Sequence, residues 1–441
     1  MDSLSADAAT DHTAIAAPRH RCDIEQLTTA APRPAGEEPA MQTTAAPTYE
    51  AVDLAALEFD PFLREALRGA SVVPIRLLHG TPGECWLATR HDVVRFVTSD
   101  PRFSRDIVGR PLPSMNRYLV PLDQAVSFVD PPDHTRVRSV VSSAFNRSGM
   151  AALRPRAQAV LDGLIDRMTA TGAPADLVRQ VTSPYPLHVI GAVLGVPEAD
   201  RPRLRVWADA VLTRATDDAG VERARQAKEA ARALFRELAR ERRARPQEDL
   251  TSTLAAAVAC GRIEEEEMLA LAVLMGLNGW HAVRNHTSNM MYVLLTDDSL
   301  MSRLRSDPLA VPAAVEELLR WIPHKHGVGQ PRVATEDVDV GGVLIRRGDA
   351  VYVSYVAANW DESCYPEPSR IDVDRQGPPH LAFGYGPHHC VAPLLARLEA
   401  ELLLTTLLER LPGLRLAVDP GEVIWQKDVL IRGPVALPVT W

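Results

Sequence analysis

The run Phe383-Gly-Tyr-Gly-Pro-His-His-Cys390, followed by a helical segment carrying Leu395 and Arg397, holds the densest chemistry in the chain. Cys390 stands just before that helix, close to backbone N–H groups and the positive end of the helix dipole, a setting that favours thiolate over thiol. Gly384 and Gly386 permit tight backbone turns and the close approach of a flat ligand. A thiolate presented in this way is an electron-rich axial donor of the kind a haem iron uses to favour O–O cleavage. A solitary loop cysteine is more often an inert filler, so the reading rests on the whole string.

Other side chains share the theme of anion binding. In Asp130-Pro-Pro-Asp-His-Thr-Arg-Val-Arg138, His134 and Arg138 lie four apart at the start of a helix, so both point one way and both can donate to an anion. Arg332, in Pro331-Arg-Val-Ala-Thr-Glu-Asp, is a further cation. Glu317 and Arg320 are three apart and share a helical face. Taken singly, each of these would be read as an ordinary solvated charge.

Phe383, Gly386, His388 and Cys390 match in identity and spacing the cysteine loop of bacterial cytochrome P-450 enzymes, and the chain resembles that family from about residue 50 to residue 441. The resemblance implies haem b (iron protoporphyrin IX) with Cys390 as its iron ligand and Phe383 packed beside the thiolate. It implies a set of four donors, His134, Arg138, Arg332 and His388, for the two haem propionates, with His388 in the place of a cation. It further implies that Glu317 and Arg320 form a buried structural pair, met by an arginine from the loop ahead of the cysteine, here matched to Arg370. The implied fold is mostly α with small β-sheets (α+β), the haem lying between a distal helix and the helix after Cys390. One departure is close to the iron ligand: Ala392, followed by Pro393, replaces the usual glycine two residues after the cysteine.

A larger departure lies on the distal helix. Aligned through Asn289, the segment Asn278-Gly-Trp-His281-Ala282 puts His281 where the family carries an acid and Ala282 where it carries an alcohol. Ala282 cannot donate a hydrogen bond. Three explanations stay open: a substrate group or an ordered water supplies the proton, His281 relays it because an imidazole titrates near neutrality, or the oxidant abstracts electrons without inserting oxygen. Against the second stands a plain structural reading of His281 as a helix residue turned away from the haem. Asn278 is a further candidate catalytic residue, and Trp280 is read as core packing. Leu274, Leu277, Asn278, Ala282, His326 and Val328 are expected to line the substrate pocket. Pro323-His-Lys-His326 is polar for such a place, so His324, Lys325 or His326 is a candidate partner for an amide or acid, with a solvent-facing segment as the alternative.

The resulting expectation is a haem-thiolate oxidoreductase of bacterial secondary metabolism, acting on a small molecule with dioxygen. Electrons would come from a ferredoxin and its reductase, because no flavin or iron–sulfur module is visible in the chain. Within that class the missing acid–alcohol pair favours oxidative coupling of an aromatic substrate, for example a tryptophan-containing cyclic dipeptide. Substrate-assisted hydroxylation is the alternative, and a non-catalytic partner protein of the same fold is the rival from another class.

The rest of the chain must position these groups. A net charge of −9 argues against a nucleic-acid binder, and five widely spaced cysteines without a CxxC pair suggest neither a zinc site nor a redox motif. No apolar run reaches the roughly 18 residues of a membrane span and no signal peptide is visible, which fits a cytoplasmic protein. Residues 1–46 are Ala-, Thr- and Pro-rich and read as a disordered tail, with residues 47–441 as one catalytic domain. Short strands are expected near residues 72–78 and 84–89, and helices at 54–68, 91–99, 134–145, 151–171, 200–218, 220–244 and 264–296. A β-rich stretch after Arg320, a final helix at 392–411 and late strands near 429–431 and 435–437 complete the pattern.

Overall fold

The computed structural model describes residues 46–50, 52–54, 56–118, 120, 126–325, 328–329 and 331–441. The tail reading of residues 1–46 therefore falls, apart from Ala46, outside the described residues, as does His326.

The longest element is the 32-residue helix Glu265–Thr296, which spans about 48 Å at 1.5 Å per residue. Glu264 and Glu267 close its N-terminus as a capping box. The acids that follow reach outward: Glu267 takes Arg136 at 2.7 Å, Glu266 takes Arg232, and Glu265 takes Arg236 and Arg243. The acidic run is thus a helix start that also ties down two neighbouring elements. The helix is apolar on nearly all sides because it crosses the interior, packed by Pro184–Leu194, Arg201–Leu212, Asp218–Ala244 and Pro393–Arg410. Close packing is visible at Gly279, where an added Cβ would lie 2.7 Å from Ile190 Cγ1.

Helices at His91–Ser99, Asp133–Ser142, Arg147–Thr171, Arg201–Leu212, Asp218–Ala244 and Pro393–Arg410 match the expected segments. Among the described residues, helices that went unpredicted include Pro184–Leu194, Leu250–Ala259 and Asp298–Ser306. The first is buried along most of its length, so it shows no polar face from which a helical period could be read. The expected helix over 54–68 shortens to Pro61–Ala66, where Asp60 caps a proline-led first turn.

The β structure gathers into one five-stranded sheet, in the order Val72–Leu77, Gly83–Ala88, Ala350–Val353, Arg332–Ala334, Phe103–Ser104. Its first pair is an antiparallel hairpin in the register Val72 to Ala88, and Ala350–Val353 adds in parallel to the second strand. The C-terminal strands are less regular than expected. Val429 and Ile431 make only isolated bridges, to Thr213 and Lys325, and the last strand is Pro438–Thr440. The consequence for the site is direct: the Ile431 bridge fixes the backbone of Lys325 against the C-terminal loop.

Candidate active site

The loop ahead of Pro393–Arg410 is wound so that the Cys390 N–H donates to Phe383 O at 2.8 Å, and Gly384 and Gly386 both take φ of +75°. An added Cβ on Gly386 would meet Thr98 O at 2.3 Å. The tight approach at Gly386 is therefore to the backbone of the helix His91–Ser99. Ala392 has φ −122°, an ordinary value for a residue with a side chain, so its replacement of glycine leaves the loop unstrained.

The Phe383 ring lies under the Arg397 guanidinium at 4.7 Å and tilts against His380 at 5.8 Å. Burial pushes the Cys390 thiol up, while the Ala392 N–H and the charges of Arg138, Lys325 and Arg397 pull it back. The helix start favours the thiolate, as its position suggested, but burial outweighs it. A bound iron would supply the missing positive charge and deprotonate the sulfur outright.

Beside the cysteine, His134 and His388 come together with ring centroids 4.4 Å apart. His134 Nε2 and His388 Nδ1 are both buried without a hydrogen-bond partner among the described residues. Arg138 donates to Cys390 O at 3.2 Å, and the buried Arg332 makes only a long 3.4 Å contact with Tyr355 OH. Two residues missed by the sequence reading join this wall. Arg105 is enclosed, donates to Ser127 O and Pro331 O, and is pushed down to about 10 by burial and Arg332. Tyr355 presents its hydroxyl to Arg332. Both lie in segments without a marked motif, so only folding could reveal them.

Burial, Arg105, His134 and Arg332 push His388 down to about 3. It is thus a neutral hydrogen-bond donor, not the cation implied by resemblance, until carboxylates offset the guanidinium charges. Orphaned imidazole nitrogens, three arginines and a half-buried sulfur at one wall form a donor set that fits an iron porphyrin with two propionates.

The structural pair is clear. Arg320 forks onto Glu317 with two 2.7 Å contacts, and both are buried. Arg320 also donates to Asn359 O and Pro368 O. The third partner is Arg375, whose Nε lies 3.0 Å from Glu317 Oε1. Arg370 is a correction: its side chain is 62% exposed and turns to Asp372 and Glu367, and it lends Arg320 only its carbonyl. The loop folds back after Pro368, which carries Arg370 outward and brings Arg375 in.

The distal helix shows which of its residues meet open space. From Met268 to Met291 every residue is buried except Leu274, Asn278, Gly279, Ala282 and His286. Four of these recur at a spacing of four and form one open stripe. Leu274, Asn278 and Ala282 therefore stand where the sequence placed pocket residues. Asn278 spends one amide hydrogen bond on Leu274 O. Leu277 does not join them, since it packs 2% exposed into the main core. Val328 likewise belongs to the apolar cluster under the sheet, with Leu63 and Tyr352.

His281 is 2% exposed and off the stripe, 3.4 Å from Asn285 Nδ2. Burial and Arg284 push it down to about 4. It is a neutral packing residue, and the proton-relay role considered from sequence is not supported by this position. Trp280 is core, as expected, with its indole N–H on Ser183 O. His286, one turn beyond Ala282, went unnoticed in the sequence and is the stripe's only imidazole.

A family model described as Cytochrome P450 matches residues 289–430. The biflaviolin synthase of Streptomyces coelicolor is 45% identical over 394 residues, covering 89% of this chain and 96% of that protein. The nocardicin C N-oxygenase of Nocardia uniformis is 40% identical over 403 residues, covering 91% and 100%. A crystal structure of cytochrome P450mel 107F1 with biaryl coupling reactivity has a TM-score of 0.84 at 42% identity, covering 88% and 97%.

Proposed function

The chain belongs to the cytochrome P450 family, and on that premise we propose that it joins two aromatic molecules by oxidative coupling. It is a haem-dependent oxidoreductase, and its relatives include enzymes named for natural-product oxidation. The observation that carries the coupling reading is the open stripe of the distal helix, which presents Ala282 with no hydroxyl and turns the neutral His281 away. A relative named for biflaviolin synthesis and a structural neighbour with biaryl coupling reactivity add support.

When bound, haem supplies the oxidising power by using dioxygen and two electrons, which we assign to a ferredoxin-type donor and its reductase. Cys390 holds the iron. His134, His388, Arg105, Arg138, Arg332 and Tyr355 would hold the carboxylates. Leu274, Asn278 and Ala282 give the substrate a mostly apolar, water-poor surface, and two rings held there at contact distance are already oriented for bond formation. Each aromatic partner loses one C–H hydrogen as a proton and an electron, and one C–C bond forms. With two further electrons and two protons, dioxygen leaves as two waters. No oxygen enters the product, and the protons that dioxygen takes up must reach it through ordered water or a substrate hydroxyl, since Ala282 offers none.

The test is turnover under heavy-isotope dioxygen with tryptophan-containing cyclic dipeptides and phenolic aromatics. The expected product has twice the monomer mass less two hydrogens and carries no label. A labelled monomer would instead establish substrate-assisted hydroxylation.

A further inference from the structure

Glu316 and Glu317 are adjacent on the helix Val311–Trp321 and face different partners. Glu317 is spent on Arg320 and Arg375, whereas Glu316 turns to the cysteine loop and the helix after it. Arg397 forks onto Glu316, with Nε 2.5 Å from Oε1 and Nη2 2.9 Å from Oε2. His380 Nε2 lies 3.3 Å from the same Oε2, at a contact distance but misaligned for a full hydrogen bond. The His380 ring accepts the Ala382 N–H on Nδ1 at 3.2 Å, so in the neutral ring the proton sits on Nε2, the nitrogen beside the carboxylate.

Both partners lead to Phe383. The Arg397 guanidinium lies over its ring at 4.7 Å, and the His380 ring tilts against it with centroids 5.8 Å apart. Ala382, bonded to His380, is the residue immediately before it. The Phe383 carbonyl in turn accepts the Cys390 N–H at 2.8 Å. One carboxylate thus reaches the peptide of Cys390 by two routes, through the Phe383 ring and through the backbone at Ala382. Exposed ion pairs usually contribute little. This one differs in geometry: the fork fixes direction as well as distance, and a cation over a ring face is attracted to it. Its partners are also shielded, the Arg397 side chain being 27% exposed and that of His380 7%. Burial acts to push the Glu316 carboxyl up, but Arg397 and His380 outweigh it and hold it down to about 2, so the group is charged at neutral pH.

We propose that Glu316 is a positioning residue for the iron ligand, holding Phe383 through Arg397 and His380 so that the Cys390 peptide keeps its place. The proposal rests on Cys390 holding the iron and is independent of what is coupled. It also gives a use to Arg397, which the propionate wall and the buried Glu317 triad leave out.

The test uses the full-length, haem-loaded protein. The reduced carbon monoxide complex is followed over time for loss of its thiolate signature, with haem content and the denaturant unfolding midpoint measured alongside. Glu316→Ala should lose that signature at least about tenfold faster than the unsubstituted protein, as the loss of a charge-assisted fork would give, with starting haem content unchanged. Glu316→Gln keeps the volume and one acceptor oxygen, so its rate should fall between the two. Arg397→Ala should speed the loss as well, and the double variant should fall short of the product of the two single effects, because both residues act on one path. A residue that served folding alone would move the unfolding midpoint and leave the lifetime of the signature where it was. An unchanged lifetime in Glu316→Ala, single effects that multiply in full, or lifetimes that only follow the unfolding midpoint would overturn the proposal. If the unsubstituted protein shows no thiolate signature, the assignment of Cys390 falls and this proposal with it; if the signature is present and Glu316→Ala keeps it, only the positioning role falls.

Discussion

The two faces of the site are built on opposite plans. On the cysteine side, each important group is polar, held by its neighbours and aimed at a ligand of fixed shape. Cys390 is placed by its backbone bond to Phe383 and by Pro393–Arg410, and His134 and His388 meet at 4.4 Å with free ring nitrogens. On the distal side, one long helix leaves a narrow stripe open and puts mainly Leu274, Asn278 and Ala282 on it. A polar edge of that stripe is His286, whose ring lies 4.4 Å from that of His324. The difference separates two tasks. Holding an iron porphyrin demands the same donors whatever is oxidised, whereas the distal side has only to suit one substrate.

That contrast can be broken most forcefully at the iron ligand. Cys390→Ser should lose the spectral signature of a thiolate-bound haem in the reduced carbon monoxide complex and reduce turnover by several orders of magnitude. Retention of that signature would show that another residue holds the iron.

The next largest effect belongs to the buried triad. Arg375→Ala should cost about 3–5 kcal/mol in denaturant unfolding, since it strips a partner from the buried Glu317. Arg370→Ala should stay within about 0.5 kcal/mol, as an exposed surface change. Equal losses would mean that the sequence assignment of Arg370 was sound after all.

Replacing His134 and His388 together by alanine should raise haem dissociation by roughly tenfold or more, from the loss of two donors worth about 1–1.5 kcal/mol each. The double variant should leave the iron–thiolate spectrum intact. On the other face, His281→Met should change kcat/KM by less than about threefold, because no transition-state contact is removed. A large loss in kcat alone would restore His281 to the proton path.

A global effect concerns pH. His281 and His286 titrate near 4 and 3 in the fold, and His324 lies well below its ordinary 6.5. The unfolded chain takes up protons at these sites near 6.5, before the folded chain does, so stability falls as pH drops from about 6.5 toward 3. Thermal unfolding between pH 7 and pH 4 should show this decline, and His286→Phe should flatten part of it.

How much could be read in advance differs between the faces for the same reason. The cysteine loop, the His134–Arg138 pair and the Glu317–Arg320 pair are local patterns, in which a few residues of backbone geometry decide what shares a face. Arg370 and Arg375 are only five residues apart in one loop, and nothing in their spacing says which turns inward. His281 and Ala282 are neighbours, yet a helix rotates about 100° between them. Which of the two meets the cavity depends on the helices packed around Glu265–Thr296.

The sequence by itself therefore determined the family, the residues proposed for the iron and for most of the propionate contacts, and the loss of the acid–alcohol pair. It could do so because these are matters of residue identity and short-range spacing. Only the tertiary structure decided that Arg375 completes the triad, that Arg105 and Tyr355 stand beside Arg332, that His281 is turned off the open stripe, and that His286 meets His324. Each of these depends on segments far apart in the chain meeting in a packed interior, where contact decides charge state and exposure.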